Sequence, residues 1–291
     1  MSQDHDQAFF NTRPLSKLAA GDAEQGATER RGGVYKEILD NSSTGATQLC
    51  ASAVEFSNRS ISIIIPFYNE KDNVVAVLEE TRLTNPHAEI IAVNDGSHDA
   101  TESLIKKFSD VRLISFPKNL GQSAALYAGL LAASHDLCVL MDGDGQNDPA
   151  DIPMLVRESK NYDVVCGYRK NRKDSWQVKA ASKVANKVRK FFTGDTVRDA
   201  GCTLKVIRKE YLRFLMPFNQ MQCYMIAMLE NAGLTLGQFP VNHRPRRFGQ
   251  SNYTIFKRMS HGILDLIGVH WLLRRQICWP ASYHVTPKKE E

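Results

Sequence analysis

From residue 60 onwards, apolar residues occur in two patterns that alternate along the chain. Continuous apolar runs predict strands, at 61–67, 89–95, 111–116, 136–142 and 162–168. Apolar residues at helical spacing predict helices between them, over 73–82, 100–108, 122–134 and 152–160. Because strands that are apolar on both faces belong to sheets covered on both sides, the pattern predicts an α/β fold: a doubly wound, mostly parallel sheet flanked by helices.

Residues 1–57 lack this periodicity. They are rich in small polar residues and scattered charges, which predicts a mostly disordered leader with a short helix near 35–39. The predicted globular domain covers residues 58–255. Residues 256–291 are predicted to form an amphipathic helix followed by a polar tail.

The composition of the 291-residue chain narrows the class of protein. With 43% hydrophobic and 24% charged residues it is typical of a globular protein. No apolar run approaches the roughly 20 residues that cross a bilayer, and the amino terminus lacks the pattern of a secretory signal. We therefore expect a cytoplasmic protein. The six cysteines fall into no metal-ligand spacing, so we expect reduced and mostly buried thiols.

The two halves of the chain carry opposite charge. Residues 1–168 have a net charge of −10 and residues 169–291 one of +15, which together give the +5 of the whole chain. A strongly basic half predicts an anionic partner: a phosphate-rich ligand, an acidic membrane surface or nucleic acid.

Acidic residues follow three of the predicted strands. The first strand ends in PFYNE (66–70), the second in NDGSHD (94–99) and a later one in MDGDGQ (141–146). Because ligands of such sheets bind beyond the carboxyl ends of the strands, we expect these residues on one rim. Carboxylates without a counter-charge raise one another's pKa, so the cluster indicates a bound cation or a hydrogen-bonding ligand. Asp142 and Asp144 offer the hard oxygen ligands that Mg²⁺ or Mn²⁺ prefers.

Each of these motifs alone is also typical of an ordinary turn. Together, IIIPFYNE, VNDGSHDAT, NLGQSAALYAGL and MDGDGQNDP resemble the inverting family 2 glycosyltransferases with a GT-A fold. Within that family they resemble the polyprenyl-phosphate hexose synthases, the branch of the dolichol-phosphate mannose synthases. The resemblance covers about residues 60–275. It implies a Rossmann-like GT-A glycosyltransferase domain over 58–255.

The resemblance assigns roles to the residues at the strand ends. It implies that the base and ribose of a nucleotide-sugar donor lie against Pro66, Tyr68 and Glu70, and that Asp95 accepts hydrogen bonds from the base. It further implies a metal site on the donor diphosphate, formed by Asp142 and Asp144 with Gln146 close by.

The turn at 118–121 is implied to approach the same donor. The alternative for this turn is a plain helix start, with Gln122 or Ser123 as the capping residue.

The basic half carries the rest of the resemblance. Asp199 opens a stretch that precedes an inward-facing strand, where it is implied to orient the acceptor or the sugar. An R-x-x-G-x-S pattern runs from Arg246 to Ser251, in a loop that closes over phosphates in relatives. Arg244, Arg247 and Ser251 are accordingly expected to bind substrate, and Arg246 joins Asp144 and Asp199 as a catalytic candidate. Arginines in surface salt bridges are the alternative.

Two later segments have the pattern of amphipathic helices. Residues 176–192 place lysines on one side and apolar residues on another, and residues 261–279 add Trp271 and Trp279 beside two arginines. Such helices can lie on anionic headgroups, so we expect docking on a membrane surface without crossing it. An ordinary surface helix with solvated lysines is the alternative.

These expectations combine into one function. The resemblance implies metal-dependent, inverting transfer of a hexose from a UDP- or GDP-linked donor to a polyprenyl phosphate, by a peripheral enzyme on the inner face of the plasma membrane. A phosphate acceptor needs no strong general base, because its second pKa is about 6. Three alternatives stay open: a glycosyltransferase acting on a glycan or protein hydroxyl, a basic nucleic-acid-binding protein, and a catalytically silent membrane scaffold. The acidic rim and the lack of interleaved aromatic residues argue against nucleic acid.

Overall fold

The computed structural model describes residues 60–170, 186–246 and 255–276, with side chains from residue 264 in the last range. Several predicted features lie outside these residues: the leader 1–57, the segment 176–185, Arg247, Ser251 and Trp279.

Seven strands form one sheet in the order β3-β2-β1-β4-β6-β5-β7. Their bounds are β1 Ile61–Phe67, β2 Glu89–Asn94, β3 Val111–Ser115, β4 Leu137–Leu140, β5 Val164–Arg169, β6 Lys205–Arg208 and β7 Leu236–Val241. Neighbours pair in parallel except around β6, which is antiparallel to both β4 and β5. The predicted mostly parallel α/β sheet is therefore confirmed; β7 was not predicted.

The reversed strand β6 has a direct consequence for the site. Because it runs against β4, its first residue, Lys205, pairs with Leu140 at the last position of β4. The residues that lead into β6 therefore lie at the same edge of the sheet as the carboxyl ends of the parallel strands. This brings Asp199 to Thr203 beside the acidic turn that follows β4.

Helices connect and cover the strands. Their bounds are α1 Val74–Thr84, α2 Thr101–Ile105, α3 Gln122–Ala132, α4 Ile152–Glu158, α5 with a described part of 186–193, α6 Met221–Asn231 and α7 Ile255–Arg275. Two short 3₁₀ segments, Pro149–Asp151 and Lys209–Phe214, complete the helical elements of the described residues. The predicted helices are confirmed; α2, α3 and α4 end earlier than predicted, most clearly α2, whereas α1 continues two residues further, to Thr84.

The apolar core has two parts, one on each face of the sheet. Alternate residues of β1 serve both: Ile63 and Ile65 pack with α1 and α4, whereas Ile64 packs with α3 and α6. A Cβ atom at Gly129 of α3 would collide with the Ile64 side chain, so the glycine allows α3 to lie directly on β1. This close contact fixes the start of α3, which carries site residues, against the end of the sheet.

Helix α7 joins this core through one face only. Leu266, Val269 and Leu273 are buried, whereas Leu264, Ile267 and Trp271 are exposed. Its His270 ring meets Phe192 of α5 edge to face at 5.6 Å, and Nδ1 of His270 hydrogen-bonds the Phe192 carbonyl oxygen. Within the described parts of the chain, no helix has both the length and the hydropathy of a membrane span.

The buried thiols agree with the sequence. Cys138, Cys166 and Cys202 are free and buried, and Cys223 is free and partly buried. Burial raises the pKa of Cys138 and Cys166 to about 12, so these thiols stay protonated. None of the four described cysteines is in a disulfide, as predicted.

Candidate active site

The loops after β1 and β2 brace each other at the carboxyl edge of the sheet. Asn69 has a positive φ of 54°, and from this conformation its backbone N–H donates to Ser97 Oγ at 3.0 Å. Its side-chain oxygen accepts from the His98 N–H at 2.9 Å, and the Glu70 N–H donates to Thr101 Oγ1 at 2.9 Å. The motifs PFYNE and NDGSHDAT therefore form one wall, with Pro66 and Tyr68 partly exposed.

Asp95 organises the turn that begins α3. Its carboxylate accepts from the N–H groups of Leu120 at 2.7 Å and Gly121 at 2.9 Å, and from the Asn119 side chain at 3.0 Å. The side chain is almost fully buried, and burial raises its pKa. A direct contact of Asp95 with a nucleotide base stays a prediction; the observed hydrogen bonds are to the protein.

A close backbone approach makes this turn possible. Gly96 has φ of 65°, and a Cβ atom there would lie 2.6 Å from the Asn119 nitrogen. The turn at 118–121 is thus pressed against the end of β2. The alternative of side-chain capping by Gln122 or Ser123 is wrong, because Gly121 is the N-cap residue and no side chain caps the helix.

The turn after β4 presents the paired aspartates. Gly145 has φ of 75°, and a Cβ atom on Gly143 would lie 2.5 Å from the Phe67 ring and the Pro66 carbonyl oxygen. The DGDG sequence therefore suits a turn that must fold tightly against the end of β1.

Asp142 is held on both sides of its carboxylate. Oδ1 accepts from Gln122 Nε2 at 2.6 Å and Oδ2 accepts from Thr203 Oγ1 at 2.6 Å. Burial, and then the charge of Asp144, raise the pKa of Asp142 to about 6; the two hydrogen bonds and the charge of Lys205 act against this rise. Asp142 thus has a fixed orientation and a poorly compensated charge.

The Asp144 carboxylate makes fewer hydrogen bonds to the described residues than that of Asp142. Its Oδ1 accepts the backbone N–H of Gln146 at 3.0 Å. Its charge raises the pKa of Asp142, and it contributes to the raised pKa of Glu70, for which burial is the larger cause. Asp144 is therefore close enough to repel both Glu70 and Asp142.

Arg246 faces this cluster from the loop after β7. It forms an ion pair with Glu70, whose other oxygen accepts from Asn73 Nδ2 at 2.6 Å. The Nε atom of Arg246 is buried and has no hydrogen-bond partner among the residues that the structure describes. A buried guanidinium donor without an acceptor is costly.

Arg244 is engaged elsewhere. Its guanidinium pairs with Glu80 at 2.7 Å and with Asp148 at 2.8 Å. Its backbone N–H donates to the carbonyl of Gln146 at 2.9 Å. This hydrogen bond joins the loop after β7 to the turn after β4. Substrate binding by Arg244 stays a prediction; the contacts observed fasten the loop in place.

Asp199 forms a bidentate pair with an arginine that the sequence analysis did not single out. Arg169, at the end of β5, donates from Nε to Oδ2 at 2.7 Å and from a terminal nitrogen to Oδ1 at 2.8 Å. Next to it, the Arg198 guanidinium lies 5.3 Å from the centre of the Tyr168 ring. The acceptor or sugar role of Asp199 stays a prediction.

Three further residues at the site were missed: Gln122, Thr203 and Lys205. Thr203 and Gln122 hold Asp142, and the buried ammonium of Lys205 donates to the Cys202 carbonyl at 2.6 Å just before Thr203. The available signal for Lys205 was a lysine inside an apolar run, two residues after Thr203.

The donor set suits a hard divalent cation that needs further ligands from a substrate. Within residues 60–170, 186–246 and 255–276, no group of three or more His, Cys, Asp or Glu side chains could hold a metal ion. Two aspartates at a turn would leave several coordination positions for phosphate oxygens, which is how Mg²⁺ is usually bound. The carboxylates alone are therefore an incomplete site.

The seven-stranded sheet with its carboxylates beyond the strand ends defines a GT-A-like glycosyltransferase domain. The chain belongs to glycosyl transferase family 2, whose sequence profile matches residues 62–215. The resemblance identified from the strand-end motifs is thereby confirmed.

The chain is similar to curated polyprenyl-phosphate sugar transferases. It is 33% identical to the undecaprenyl-phosphate 4-deoxy-4-formamido-L-arabinose transferase of Serratia proteamaculans over 69% of this chain and 65% of that protein. It is 35% identical to the dodecaprenyl-phosphate galacturonate synthase of Rhizobium johnstonii over 74% of this chain and 67% of that protein. The chain thus spans about two thirds of the length of these relatives.

The fold is also that of solved enzymes. Glucosyl-3-phosphoglycerate synthase from Mycobacterium tuberculosis, solved with Mn²⁺, UDP and glucosyl-3-phosphoglycerate, superimposes with a TM-score of 0.59 at 20% identity. The match covers 74% of this chain and 80% of that one. The same enzyme with Mg²⁺ and UDP gives a TM-score of 0.59 at 19% identity, over 76% of this chain and 82% of that one. At this level of identity the likeness establishes the fold.

Proposed function

We propose that the protein transfers a sugar from a nucleotide-sugar donor to a polyprenyl phosphate, with Mg²⁺ or Mn²⁺ bound at the acidic turn. The observation that carries the proposal is the gathering of Glu70, Asp142 and Asp144 at one edge of the sheet, with Arg246 facing them. The names of the two curated relatives support the lipid acceptor. One of those names contains an arabinose derivative, so the proposal covers sugars more widely than the hexose inferred from sequence.

Asp144 and Asp142 are the residues that would hold the metal. Asp144 has the freer carboxylate and is the direct ligand in this proposal, while Asp142 has a fixed orientation beside it. The bound cation would neutralise the leaving nucleoside diphosphate. Its charge would also relieve the repulsion that raises the pKa of Asp142.

Arg246 contributes the complementary charge. Its pair with Glu70 can be exchanged for phosphate oxygens, which a guanidinium binds through two donors at once. When this exchange occurs, the buried Nε of Arg246, which has no partner among the described residues, would gain a phosphate oxygen as its acceptor. Binding of the donor would then separate Arg246 from Glu70 and leave Glu70 free to contact the nucleoside.

The arrangement around Asp199 favours a phosphate acceptor over a hydroxyl acceptor. A sugar or protein hydroxyl needs a carboxylate positioned to take its proton. Both oxygens of Asp199 face Arg169 instead. A lipid phosphate is already a nucleophile near neutral pH, so its oxygen can displace the diphosphate at the anomeric carbon in one inverting step.

Membrane docking is proposed for an apolar face of two neighbouring helices. This apolar face consists of Val188 and Phe191 on α5 and Leu264, Ile267 and Trp271 on α7, whose exposed fractions run from 45% to 84%. The two helices touch through Phe192 and His270. Exposed lysine and arginine side chains adjoin the face, at Lys187, Arg274 and Arg275. Apolar residues with a basic rim fit an anionic bilayer surface, and we propose a peripheral position on the inner leaflet.

Removing two members of this face should release the protein from vesicles. We expect Phe191→Ser together with Trp271→Ser to weaken binding to vesicles of mixed anionic and zwitterionic lipid by roughly a hundredfold or more, because inserting each ring is worth about 1.5–3 kcal/mol. Sedimentation with vesicles measures the effect. Leu83→Ser, at a residue of α1 that is 82% exposed, is the matched control. Equal loss in the control, or none in the double variant, would rule out this face.

The function is tested with purified protein, Mg²⁺ or Mn²⁺ and a panel of UDP- and GDP-linked sugars. Polyprenyl phosphate in detergent is one acceptor, and 3-phosphoglycerate and a soluble glycan are the others. Mass spectrometry of the lipid extract should find a sugar-phosphate-lipid for at least one donor. Transfer to a soluble acceptor alone would contradict the lipid assignment.

A further inference from the structure

Gln222, in the first turn of α6, is linked to the acidic turn by a chain of side-chain hydrogen bonds. Ser123 donates to the Gln222 side-chain oxygen, Gln222 Nε2 donates to Gln122 Oε1 at 3.4 Å, and Gln122 Nε2 donates to Asp142 at 2.6 Å. Ser123 is buried and Gln222 is half-buried. The chain thus runs from α6 through the start of α3 to the carboxylate.

Each hydrogen bond in this chain has only one workable direction. The carboxylate of Asp142 can only accept when ionised, so Gln122 must turn its NH₂ group toward it. The oxygen of Gln122 then points toward α6 and needs a donor, which is the NH₂ group of Gln222. The oxygen of Gln222 is left to accept from the Ser123 hydroxyl. Ser123 thus donates to Gln222, Gln222 to Gln122 and Gln122 to Asp142.

We propose that Gln222 is a positioning residue for the donor site: by donating to Gln122 it fixes the direction of the Gln122 amide and, through it, the carboxylate of Asp142. The inference rests on the proposed function, in which Asp142 faces the metal and diphosphate of the donor. Gln222 itself touches neither. Its contribution is orientation, because an amide without a fixed partner can rotate by half a turn and present its oxygen instead of its NH₂ group.

The two oxygens of the Asp142 carboxylate are held in different ways, which explains why the hydrogen bond from Gln222 to Gln122 matters. Thr203 holds Oδ2, and Lys205 fixes the backbone just before Thr203 through the Cys202 carbonyl. That side is built into the sheet at the start of β6. The Gln122 side depends on side chains alone, so a rotated Gln122 amide would set an oxygen against Oδ1 of Asp142 and push the carboxylate away. Position-dependent functions of this kind typically lose about tenfold or more when the supporting group is removed.

Gln222→Glu removes the donor to Gln122 and keeps the acceptor for Ser123, and it adds one negative charge. The glutamate can still accept from Ser123 but cannot donate to Gln122 when ionised. An acidic residue in the first turn of a helix is favourable for stability. A purely structural role of Gln222 therefore predicts an unchanged or higher melting temperature and unchanged binding of ligand. Gln222→Met, which removes both hydrogen bonds without adding charge, is the second variant.

The readout is calorimetric binding of Mn²⁺ together with UDP, and separately with GDP, to the full chain. We expect both variants to bind the Mn²⁺–nucleotide pair roughly tenfold more weakly than wild type, at melting temperatures within a degree or two of it. In the transfer assay, KM for the donor should rise while KM for the lipid stays the same.

The outcomes separate the two claims. If the wild type binds the Mn²⁺–nucleotide pair and both variants bind it equally well, the role of Gln222 is overturned and the proposed function stands. Weaker binding of the Mn²⁺–nucleotide pair by Gln222→Met alone would also overturn the role of Gln222. The loss would then result from altered packing and not from the missing donor to Gln122. Failure of the wild type to bind Mn²⁺ with either nucleotide would contradict the proposed function and the role of Gln222 together.

Discussion

Asp144→Asn is expected to abolish sugar transfer while leaving the fold intact. The amide oxygen of asparagine can still accept the Gln146 N–H that Asp144 accepts at 3.0 Å, so the turn is retained. What is lost is the negative charge, and with it the proposed direct ligand to the metal. Because such a ligand supports several kcal/mol of charge stabilisation, we expect a loss of at least about a hundredfold in turnover. Product lipid measured by mass spectrometry gives the rate.

The control for this variant lies on the opposite edge of the sheet. Asp136→Asn, just before β4, also removes one carboxylate but should leave turnover unchanged. Wild type in excess chelator should fall to the level of Asp144→Asn. Full activity of Asp144→Asn, or of wild type in chelator, would rule out a metal held at this turn.

Asp142→Asn is expected to stabilise the ligand-free protein and to inactivate it. Burial and the charge of Asp144 raise the pKa of Asp142 to about 6, from an ordinary 3.8. Ionised Asp142 therefore lowers the free energy of unfolding, by about 1–3 kcal/mol at neutral pH. The asparagine carries no charge, and it can accept from Gln122 while donating to the Thr203 hydroxyl.

The pH dependence of this effect has a definite sign. For a carboxyl group whose pKa is raised in the folded state, the destabilisation is fully present above about pH 6 and disappears as the pH falls toward 4. Denaturant unfolding at several pH values should therefore show Asp142→Asn more stable than wild type at pH 7, with the gap closing below pH 5. A variant less stable than wild type at pH 7 would contradict the assignment of uncompensated charge.

Much of the site was accessible from the sequence because strand ends meet at one edge in a parallel sheet. The motifs containing Glu70, Asp142 and Asp144 follow strands that are apolar throughout, so both their element and their edge could be predicted. Gly143 and Gly145 lie in the motif of the two aspartates and Gly96 lies in NDGSHD, where the turns must be tight. The role of each of these residues depends on its neighbours in the sequence.

The rest depends on contacts between distant segments. Arg169 and Asp199 are 30 residues apart and meet because β6 runs backwards beside β5. Gln222 is 100 residues from Gln122 and reaches it only through the packing of α6 on α3. A pattern of apolar residues predicts that these helices cover the sheet; it does not predict which polar side chains then touch.

Asp95 and Arg244 also make contacts that the sequence does not predict. The family resemblance implies that both contact a ligand, and both lie in the loops of the candidate site. There they bind the protein itself, Asp95 to the turn before α3 and Arg244 to Glu80 and Asp148. A charged residue in a functional motif can act by holding the loops that carry the chemistry.

The proposal depends most directly on where a divalent ion binds. Crystals of the protein grown with Mn²⁺ and a nucleoside diphosphate, measured at a wavelength where manganese scatters anomalously, locate the ion without reference to activity. We predict an anomalous peak in contact with Asp144, with the diphosphate on its far side and Arg246 moved from Glu70 to the phosphates. A manganese peak elsewhere, or a nucleotide bound with Arg246 still paired to Glu70, would contradict the account.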